Sequence, residues 1–348
     1  MKTLICSVVL LSLLCGAMAE LDHCRGIALQ GGGDKGAFQA GALYELAHGL
    51  EDGEAEWDVV TGISVGAING IKVAMYPKGG EAQATEEMLE LWRGLTRADV
   101  LTNWPLGGVV RGFFYKTALW DDQPLIDYLR EQIEPAQRKY YYGITDTKLG
   151  IYKALDETSD IERYLLGVVA SAVFPGVMPV MEDLDDGEYY VDGGVIRPVD
   201  IATALNWCME QVGGDESKIT MDILLNGGGT FRDADVSEYK TIHMAIRYLE
   251  IRQWYKSWDL VQRAKYAYKG VNFRYIIAPT TKLRTGLIPF NFDPEEIEDN
   301  IQSGIRDAKA AIAMGQGKSF EMLDDYFWLK NEGFEEDYGD FLNMMLSQ

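Results

Sequence analysis

Two neighbouring segments of the chain share one pattern, in which a short apolar run ends at a glycine-containing turn and a helix-like sequence follows. The first runs from Gly26–Gln30 into Ala37–Leu50, and the second runs from Trp57–Thr61 into Val65–Met75. Short β-branched runs that alternate with helical patterns are typical of βαβ units, whose strands lie parallel. The pattern therefore predicts an α/β protein with a mostly parallel central sheet.

The rest of the chain continues this alternation. Tyr140–Leu155 is predicted to hold two strands with a turn at residues 145–148, and the acidic stretch Glu332–Asp340 is predicted to be solvated surface. Further strands are predicted at Glu188–Val191, Met221–Leu225 and Phe273–Ala278, and further helices at Ile161–Val173, Tyr239–Ala264 and Pro294–Met314. Because no Pro/Gly/Ser-rich linker or long internal repeat interrupts the chain, residues 20–348 are expected to form a single domain.

The charge of the chain disfavours two classes of partner. With 54 acidic and 32 basic residues, the formal net charge is −22. Binding to nucleic acid needs clustered lysine and arginine, so we expect no nucleic-acid partner. Strongly anionic membranes are disfavoured for the same reason. Contact with a neutral or zwitterionic membrane or micelle surface stays open, and the oligomeric state is not predicted.

The first nineteen residues have the pattern of a signal peptide. Lys2 precedes the apolar run Leu4–Leu14, and Ala17–Ala19 resembles a cleavage site. The alternative is a membrane anchor, but the apolar run is short for a span. We therefore expect cleavage after residue 19 and a secreted or lumenal protein, with vacuole and lysosome among the possible destinations. Cys24 and Cys208 would remain, either as a disulfide or as two buried thiols.

The first glycine motif, Gly31–Gly36 (GGGDKG), lies between a predicted strand and a predicted helix. Glycines let a ligand approach bare backbone N–H groups, and a helix N-terminus favours a phosphate or an oxyanion. The same glycines satisfy the dinucleotide-binding pattern G-x-G-x-x-G, which expects an acidic residue at the end of the next strand. Ser64 and its glycines stand there instead, and this argues against a dinucleotide.

Two further motifs contain a serine and an aspartate. Gly62–Gly66 (GISVG) matches the G-x-S-x-G pattern that holds a serine on a strained strand-to-helix turn, although Ser64 as a simple helix N-cap is the alternative. A serine hydroxyl needs a base to become a nucleophile. Asp192-Gly193-Gly194 follows a predicted strand and, taken alone, is typical of a turn.

Together, these motifs resemble those of the patatin-like phospholipase family. That family has a G-G-G-x-[KR]-G loop, a G-x-S-x-G elbow and a D-G-[GA] aspartate in this order. An A-S-x-x-[FIY]-P segment precedes the aspartate and stands here as Ala170–Pro175 (ASAVFP). The resemblance covers roughly Arg25–Pro198. It implies a patatin-like, three-layer α/β/α fold.

The resemblance also implies a chemistry. Ser64 would attack an ester of a phospholipid, lysophospholipid or glyceride, and Asp192 would accept its proton without a histidine. The reaction would pass through an acyl-enzyme. Because the sequence has no metal-ligand cluster and no EF-hand calcium loop, we expect hydrolysis to need no metal or other cofactor. The oxyanion would be stabilised by backbone N–H groups, for which the candidates are Gly31, Gly32, Gly33 and Val65. Supporting roles would fall to Lys35, Gly36, Gly62, Gly66, Gly193 and Gly194.

Several alternatives stay open at this point. Ser64, Asp192 and His243 follow the Ser…Asp…His order of α/β-hydrolases, but His243 lies within a predicted helix. A secreted lipid-binding or storage protein with little turnover would show the same motifs. Lys35 would either neutralise a lipid phosphate or pair with local carboxylates, and Ser171 is interpreted as a helix residue near the site. Aromatic clusters at residues 104–106, 113–115 and 254–258 are predicted to belong to the core rather than to a lipid-binding surface.

Overall fold

A computed structural model describes residues 21–157, 160–182, 187–227, 235–286, 288–334, 336 and 338–346. The predicted signal peptide, residues 1–19, lies outside the described residues. Within the described ranges, eight strands form one mixed sheet that is flanked by helices.

The strands are β1 (Cys24–Leu29), β2 (Val59–Ile63), β3 (Lys139–Asp146), β4 (Ile151–Asp156), β5 (Met181–Glu182), β6 (Tyr189–Asp192), β7 (Ile219–Leu224) and β8 (Asn272–Ile277). Their order in the sheet is β5-β6-β3-β2-β1-β7-β8, with β4 paired to β3. The pairs β1–β2, β1–β7, β2–β3 and β7–β8 are parallel, while those that involve β4, β5 and β6 are antiparallel. The prediction of a mostly parallel sheet is therefore confirmed.

The helices cover both faces of the sheet. They are α1 (Gly36–Gly49), α2 (Val65–Ala74), α3 (Glu81–Gly94), α4 (Gly108–Tyr115), α5 (Gln123–Gln132), α6 (Ile161–Ala172), α7 (Ile201–Gln211), α8 (Thr241–Ala267), α9 (Pro294–Met314), α10 (Lys318–Asn331) and α11 (Tyr338–Leu346). The predicted strands and helices are present in the described ranges, with bounds that differ by at most three residues.

Two hydrophobic cores separate the layers, because successive strand residues point to opposite faces of a sheet. Ile27 and Val60 pack in the core that contains residues of α1, α2, α3, α5, α6 and α9. Their neighbours Ala28 and Val59 pack in the core that contains residues of α7, α8, α10 and α11. This arrangement confirms the three-layer α/β/α architecture.

Two predictions about the surface are wrong. The stretch Glu332–Asp340 is not solvated throughout, because Tyr338 is only 3 % exposed and its ring packs against Tyr326 and Phe341. The predicted core cluster at residues 113–115 lies at the surface, where Phe113 and Phe114 are each 69 % exposed. Leu106 of residues 104–106 is exposed as well, whereas Trp254 and Trp258 are buried as predicted. An aromatic side chain has the same hydrophobicity in a core and in an exposed patch, so composition alone does not distinguish the two.

A disulfide ties the first strand to a helix on one face of the sheet. Cys24 in β1 and Cys208 in α7 are bonded, with their Cα atoms 5.5 Å apart. Both residues are fully buried in the core beneath α7. Of the two alternatives that the sequence left open, the structure therefore contains the disulfide.

Replacing both cysteines with alanine is expected to lower the free energy of unfolding by about 2–5 kcal/mol, since the bond closes a long loop in the unfolded chain. The two cysteines are separated by 184 residues in sequence. Urea denaturation followed by circular dichroism measures the change, and reduction of the wild-type protein is the matched control that should give the same shift. An unchanged unfolding midpoint in both would contradict a stabilising role for the bond.

Candidate active site

The three glycine motifs meet at the carboxyl edge of the parallel strands. The loop Gly31–Gly36 follows β1, Ser64 follows β2, and Asp192 is the last residue of β6. Ile63 pairs with Gly143 of β3, and the next residue of β3, Ile144, pairs with Asp192. The strand register thus brings the serine and the aspartate together although 128 residues separate them in sequence. Ligands bind at this edge in open α/β sheets.

Ser64 lies on a strained turn between β2 and α2. Its backbone has φ 56° and ψ −128°, a conformation that non-glycine residues rarely adopt. The flanking glycines permit the tight turn: a Cβ atom on Gly62 would lie 2.2 Å from the carbonyl oxygen of Gly66, and one on Gly66 would lie 2.4 Å from that of Leu29. The structure therefore has the geometry of a nucleophile elbow rather than that of an ordinary N-cap, and no capping hydrogen bond from the Ser64 side chain is present.

Ser171 in α6 anchors this turn. The backbone N–H of Ser64 donates a hydrogen bond to Ser171 Oγ at 3.0 Å, and the Ser171 hydroxyl donates to the carbonyl oxygen of Gly143 at 2.6 Å. Ser171 is fully buried. The prediction that it is a helix residue near the site is confirmed, but its link between the elbow and β3 was missed. In the sequence, Ser171 belongs to the ASAVFP segment, but that segment alone does not indicate what the serine does.

Ser171→Ala is expected to lower kcat for a short ester about tenfold while KM changes little, since the variant loses one neutral hydrogen bond that positions the nucleophile. Ser319→Ala is the matched control, because buried Ser319 also accepts a backbone N–H bond, from Ile276 at 2.9 Å, on the last strand of the sheet. Equal losses of kcat in the two variants would show a general effect on folding instead of a positioning role.

Hydrogen bonds with three other residues hold Asp192 in place. Its carboxylate accepts the N–H of Gly194 at 2.6 Å, and its own N–H donates to the carbonyl oxygen of Val173 at 2.9 Å. The Thr145 hydroxyl donates to the carbonyl oxygen of Asp192 at 3.0 Å. Gly193, the next residue, packs against the Gly143 carbonyl. These contacts fix the direction of the carboxylate.

The pKa of Asp192 is raised to about 7, because the residue is only 6 % exposed and burial disfavours the charged carboxylate. Hydrogen bonding by the Ser64 hydroxyl and the Gly194 N–H lowers the pKa and offsets part of this effect. A carboxylate with an ordinary pKa near 4 is a weak base for an alcohol. A pKa near neutrality makes Asp192 a better general base than the sequence alone suggested.

Backbone donors for an oxyanion are present beside Ser64. The N–H of Gly31 already donates to the carbonyl oxygen of Pro198 at 3.1 Å. In the part of the chain that the structure describes, the N–H groups of Gly32, Gly33 and Val65 have no hydrogen-bond acceptor. Gly33, Ser64 and Val65 line the same cavity. Of the four predicted donors, Gly32, Gly33 and Val65 therefore have an unpaired N–H group among the described residues.

Lys35, within the glycine loop, makes no ion pair with any described residue. Considering the described residues only, no carboxylate oxygen lies within 4.0 Å of its ammonium group. The neighbouring Asp34 instead accepts the Thr285 hydroxyl at 2.7 Å and the Asn291 N–H at 3.0 Å. Burial lowers the pKa of Lys35, and the charge of Glu250 acts in the opposite direction. Lys35 is thus not closely paired with any carboxylate in the described part of the chain, and contact with a lipid phosphate stays a prediction.

The three histidines have other partners. His23 bonds to a threonine hydroxyl, His48 to a backbone carbonyl oxygen and a glutamate, and the His243 ring lies against a tyrosine. Across the described ranges, none of them contacts Ser64 or Asp192. His243 lies in α8, as its helical surroundings predicted. The geometry therefore gives no support to a Ser-His-Asp triad.

An apolar cavity of about 90 Å³ opens beside Ser64. It follows α2 from Ser64 to Met75, a distance of roughly 16 Å along the helix. Its walls come mainly from α2, α3 and α5. The side chains that line it include Val65, Ile68, Ile71, Met75, Met88, Leu91, Trp92, Leu125, Leu129, Met178, Phe290 and Phe292. An apolar lining of this kind suits a hydrocarbon group better than a polar one.

Other kinds of site were also sought. Among the described residues, no group of three His, Cys, Asp or Glu side chains is arranged to hold a metal ion. No described helix has the length and apolar character that a bilayer-spanning segment needs. The prediction that no metal or cofactor is needed stays a prediction.

Comparison with known proteins gives one family. A family model described as patatin-like phospholipase matches residues 27–205, just over half of the chain. Among solved structures, VipD from Legionella pneumophila is similar, with 14 % sequence identity and a TM-score of 0.42. That alignment covers 85 % of this chain and 68 % of the VipD chain. No curated protein matches the sequence.

Proposed function

The chain belongs to the patatin-like phospholipase family, and on this premise we propose that it is a serine-dependent lipid acyl hydrolase with a Ser64–Asp192 dyad. One observation carries the proposal: a strained serine elbow lies beside a buried aspartate whose pKa is raised to about 7. An activated nucleophile needs a base of this kind within reach.

In the proposed reaction, Ser64 Oγ attacks the carbonyl carbon of the ester while its proton passes to Asp192. The N–H groups of Gly32, Gly33 and Val65 would donate hydrogen bonds to the developing oxyanion, each of them contributing about 3 kcal/mol to stabilisation of the transition state. The tetrahedral intermediate collapses to an acyl-enzyme, and the leaving alcohol takes the proton from Asp192. A water molecule, deprotonated by Asp192, then attacks the acyl-enzyme. The fatty acid leaves, and Asp192 returns the proton to Ser64 Oγ.

The substrates that fit are carboxylic esters of phospholipids, lysophospholipids or glycerides. The cavity that begins at Ser64 is lined almost entirely by apolar side chains, which suits a fatty acyl chain. We propose that the acyl chain occupies this cavity, so that its carbonyl carbon reaches Ser64. The headgroup would remain outside, on the side of the glycine loop and Lys35.

Filling the cavity should slow the hydrolysis of long-chain esters more than that of short-chain esters. Ile68 lines it one helical turn after Ser64. In Ile68→Trp, we expect hydrolysis of a long-chain ester to fall at least tenfold while a butyrate ester is hydrolysed within about threefold of the wild-type rate, because only the long chain must pass residue 68.

A panel of p-nitrophenyl esters of increasing acyl length, followed by lipids with mass-spectrometric readout, measures this selectivity. Ile161→Trp, at an exposed isoleucine of α6, is the matched control. Equal losses on short and long esters would exclude the cavity as the acyl site. Binding of lipid without any ester product would instead make the protein a lipid-binding or storage protein.

We also propose that the protein acts in the secretory pathway, as a secreted or lumenal enzyme. The Cys24–Cys208 disulfide supports this location, since disulfides persist in oxidising compartments. The signal-peptide pattern of residues 1–19 supports it independently.

A further inference from the structure

A patch of large apolar side chains is exposed on α4 and the turn before it. Leu106 is 95 % exposed, Tyr115 is 82 % exposed, and Phe113 and Phe114 are each 69 % exposed. Val110, on the same helix, is exposed as well. Contiguous exposed groups of this size mark interaction sites on soluble proteins. We call these five residues the α4 patch.

The α4 patch rests on a fixed base. Gly112 packs so closely on the following segment that a Cβ atom there would lie 2.4 Å from the carbonyl oxygen of Leu119. The Trp104 indole N–H donates to the carbonyl oxygen of Ala118 at 3.1 Å, and the Lys116 ammonium group lies 4.6 Å from the centre of the Trp104 ring. One side of α4 is thus anchored, and the α4 patch is presented outwards.

Hydrogen bonds connect this base to the wall of the active-site cavity. The N–H of Leu119 donates to the carbonyl oxygen of Gly176 at 3.0 Å, and the N–H of Trp120 donates to that of Val177 at 3.1 Å. The next residue, Met178, lines the cavity together with Ser64. The segment that supports the α4 patch is therefore hydrogen-bonded to the segment that leads into the wall of the proposed acyl site.

The local charge favours a lipid surface. In a chain with 54 acidic residues, none lies between Asp99 and Asp121, whereas Arg111 and Lys116 lie in this stretch. Apolar side chains that insert among acyl chains, combined with Trp, Tyr, Lys and Arg at headgroup level, are typical of interfacial segments. The net charge of −22 opposes docking on a strongly anionic bilayer.

We propose that the α4 patch docks on the surface of a zwitterionic phospholipid bilayer and places the cavity mouth at that surface. Phe113 and Phe114 would enter the acyl region, while Arg111 and Lys116 contact headgroup phosphates. The orientation of the cavity towards the lipid rests on the proposed function, but docking itself does not depend on catalysis.

Flotation with phosphatidylcholine vesicles tests the docking. The Ser64→Ala protein is used so that the vesicles stay intact, and the pair Phe113→Ser/Phe114→Ser is added to it. We expect the pair to reduce vesicle binding at least tenfold. The pair Tyr266→Ser/Trp328→Ser removes two exposed aromatic side chains from α8 and α10 and should leave binding unchanged.

Three results would overturn the proposal: no vesicle binding, equal losses in both pairs, or binding that requires anionic lipid and disappears in high salt. If the protein instead bound no vesicles and formed a concentration-dependent dimer in sedimentation velocity that the Phe113/Phe114 pair abolished, the α4 patch would be assigned to a second copy of the chain.

With Ser64 intact, the Phe113/Phe114 pair should hydrolyse a soluble butyrate ester at the wild-type rate. Vesicle binding without ester hydrolysis would contradict only the proposed enzymatic function. Hydrolysis without vesicle binding would contradict only the proposed docking of the α4 patch.

Discussion

Replacing Ser64 with alanine is expected to lower kcat/KM for ester hydrolysis by at least about 10³-fold, because the variant has no nucleophile to form the acyl-enzyme. Within the described residues, the neighbouring hydroxyl of Ser171 is not expected to replace that of Ser64. It is already hydrogen-bonded to the carbonyl oxygen of Gly143 and to the backbone N–H of Ser64. Initial rates with a p-nitrophenyl butyrate substrate measure the effect.

His243→Ala is the control for this experiment. Its ring lies against Tyr239 in α8, so the variant should retain near-normal activity. A loss in His243→Ala as large as that in Ser64→Ala would restore the Ser-His-Asp triad. If Ser64→Ala kept more than a few per cent of the activity once contaminating esterases were excluded, the nucleophile would be a residue other than Ser64.

Replacing Asp192 with asparagine is expected to lower kcat/KM by about 10²–10⁴-fold, the usual contribution of a general base. The amide is nearly the same size and can still accept the Gly194 N–H, so the site should keep its shape. For the wild-type enzyme, kcat/KM should rise with pH through a midpoint near 7, because burial raises the pKa of Asp192 to about 7 and the ionised form is the base. A flat profile between pH 5 and 9 would contradict this role.

The same substitution should stabilise the protein at alkaline pH. Because the folded pKa of about 7 exceeds the ordinary value of 3.8, the folded state holds a proton that the unfolded state has lost between these pH values. Stability therefore falls as pH rises through that window, and the full cost of the buried charge is present above about pH 7.

The asparagine side chain is uncharged at every pH, so the variant has no buried charge at this position. Its free energy of unfolding at pH 8 should therefore exceed that of the wild type by up to about 4 kcal/mol. The two proteins should have equal stability near pH 4. Thermal or urea denaturation at the two pH values measures the difference. A variant that is less stable than the wild type at pH 8 would show that Asp192 is stabilised in its charged form.

Local sequence was sufficient to predict that Ser64 lies on a strand-to-helix turn. Gly62 and Gly66 are required for this turn, since a Cβ atom at either position would collide with backbone. The apolar run before Ser64 and the small residues after it therefore predicted both the strand-to-helix turn and its position. The partner was harder to find: Asp192-Gly193-Gly194 alone indicated only a turn, and the family resemblance gave it a role.

Long-range geometry accounts for what the sequence did not predict. The pKa of Asp192 depends on burial by segments that are distant in sequence, and the role of Ser171 depends on how α6 packs against β2 and β3. The Gly31 N–H is occupied by the carbonyl oxygen of Pro198, which local sequence does not reveal. Likewise, Phe113 and Phe114 have the composition of a core but lie on an exposed helix.

Covalent labelling tests the central claim most directly. The protein is incubated with a p-nitrophenyl alkylphosphonate, which phosphonylates an activated serine, and its peptides are analysed by mass spectrometry. We predict a single adduct on Ser64, absent from Ser64→Ala and formed much more slowly in Asp192→Asn, with Ser171 unmodified. An adduct on another residue, or steady ester hydrolysis with no adduct on Ser64, would contradict the Ser64–Asp192 dyad.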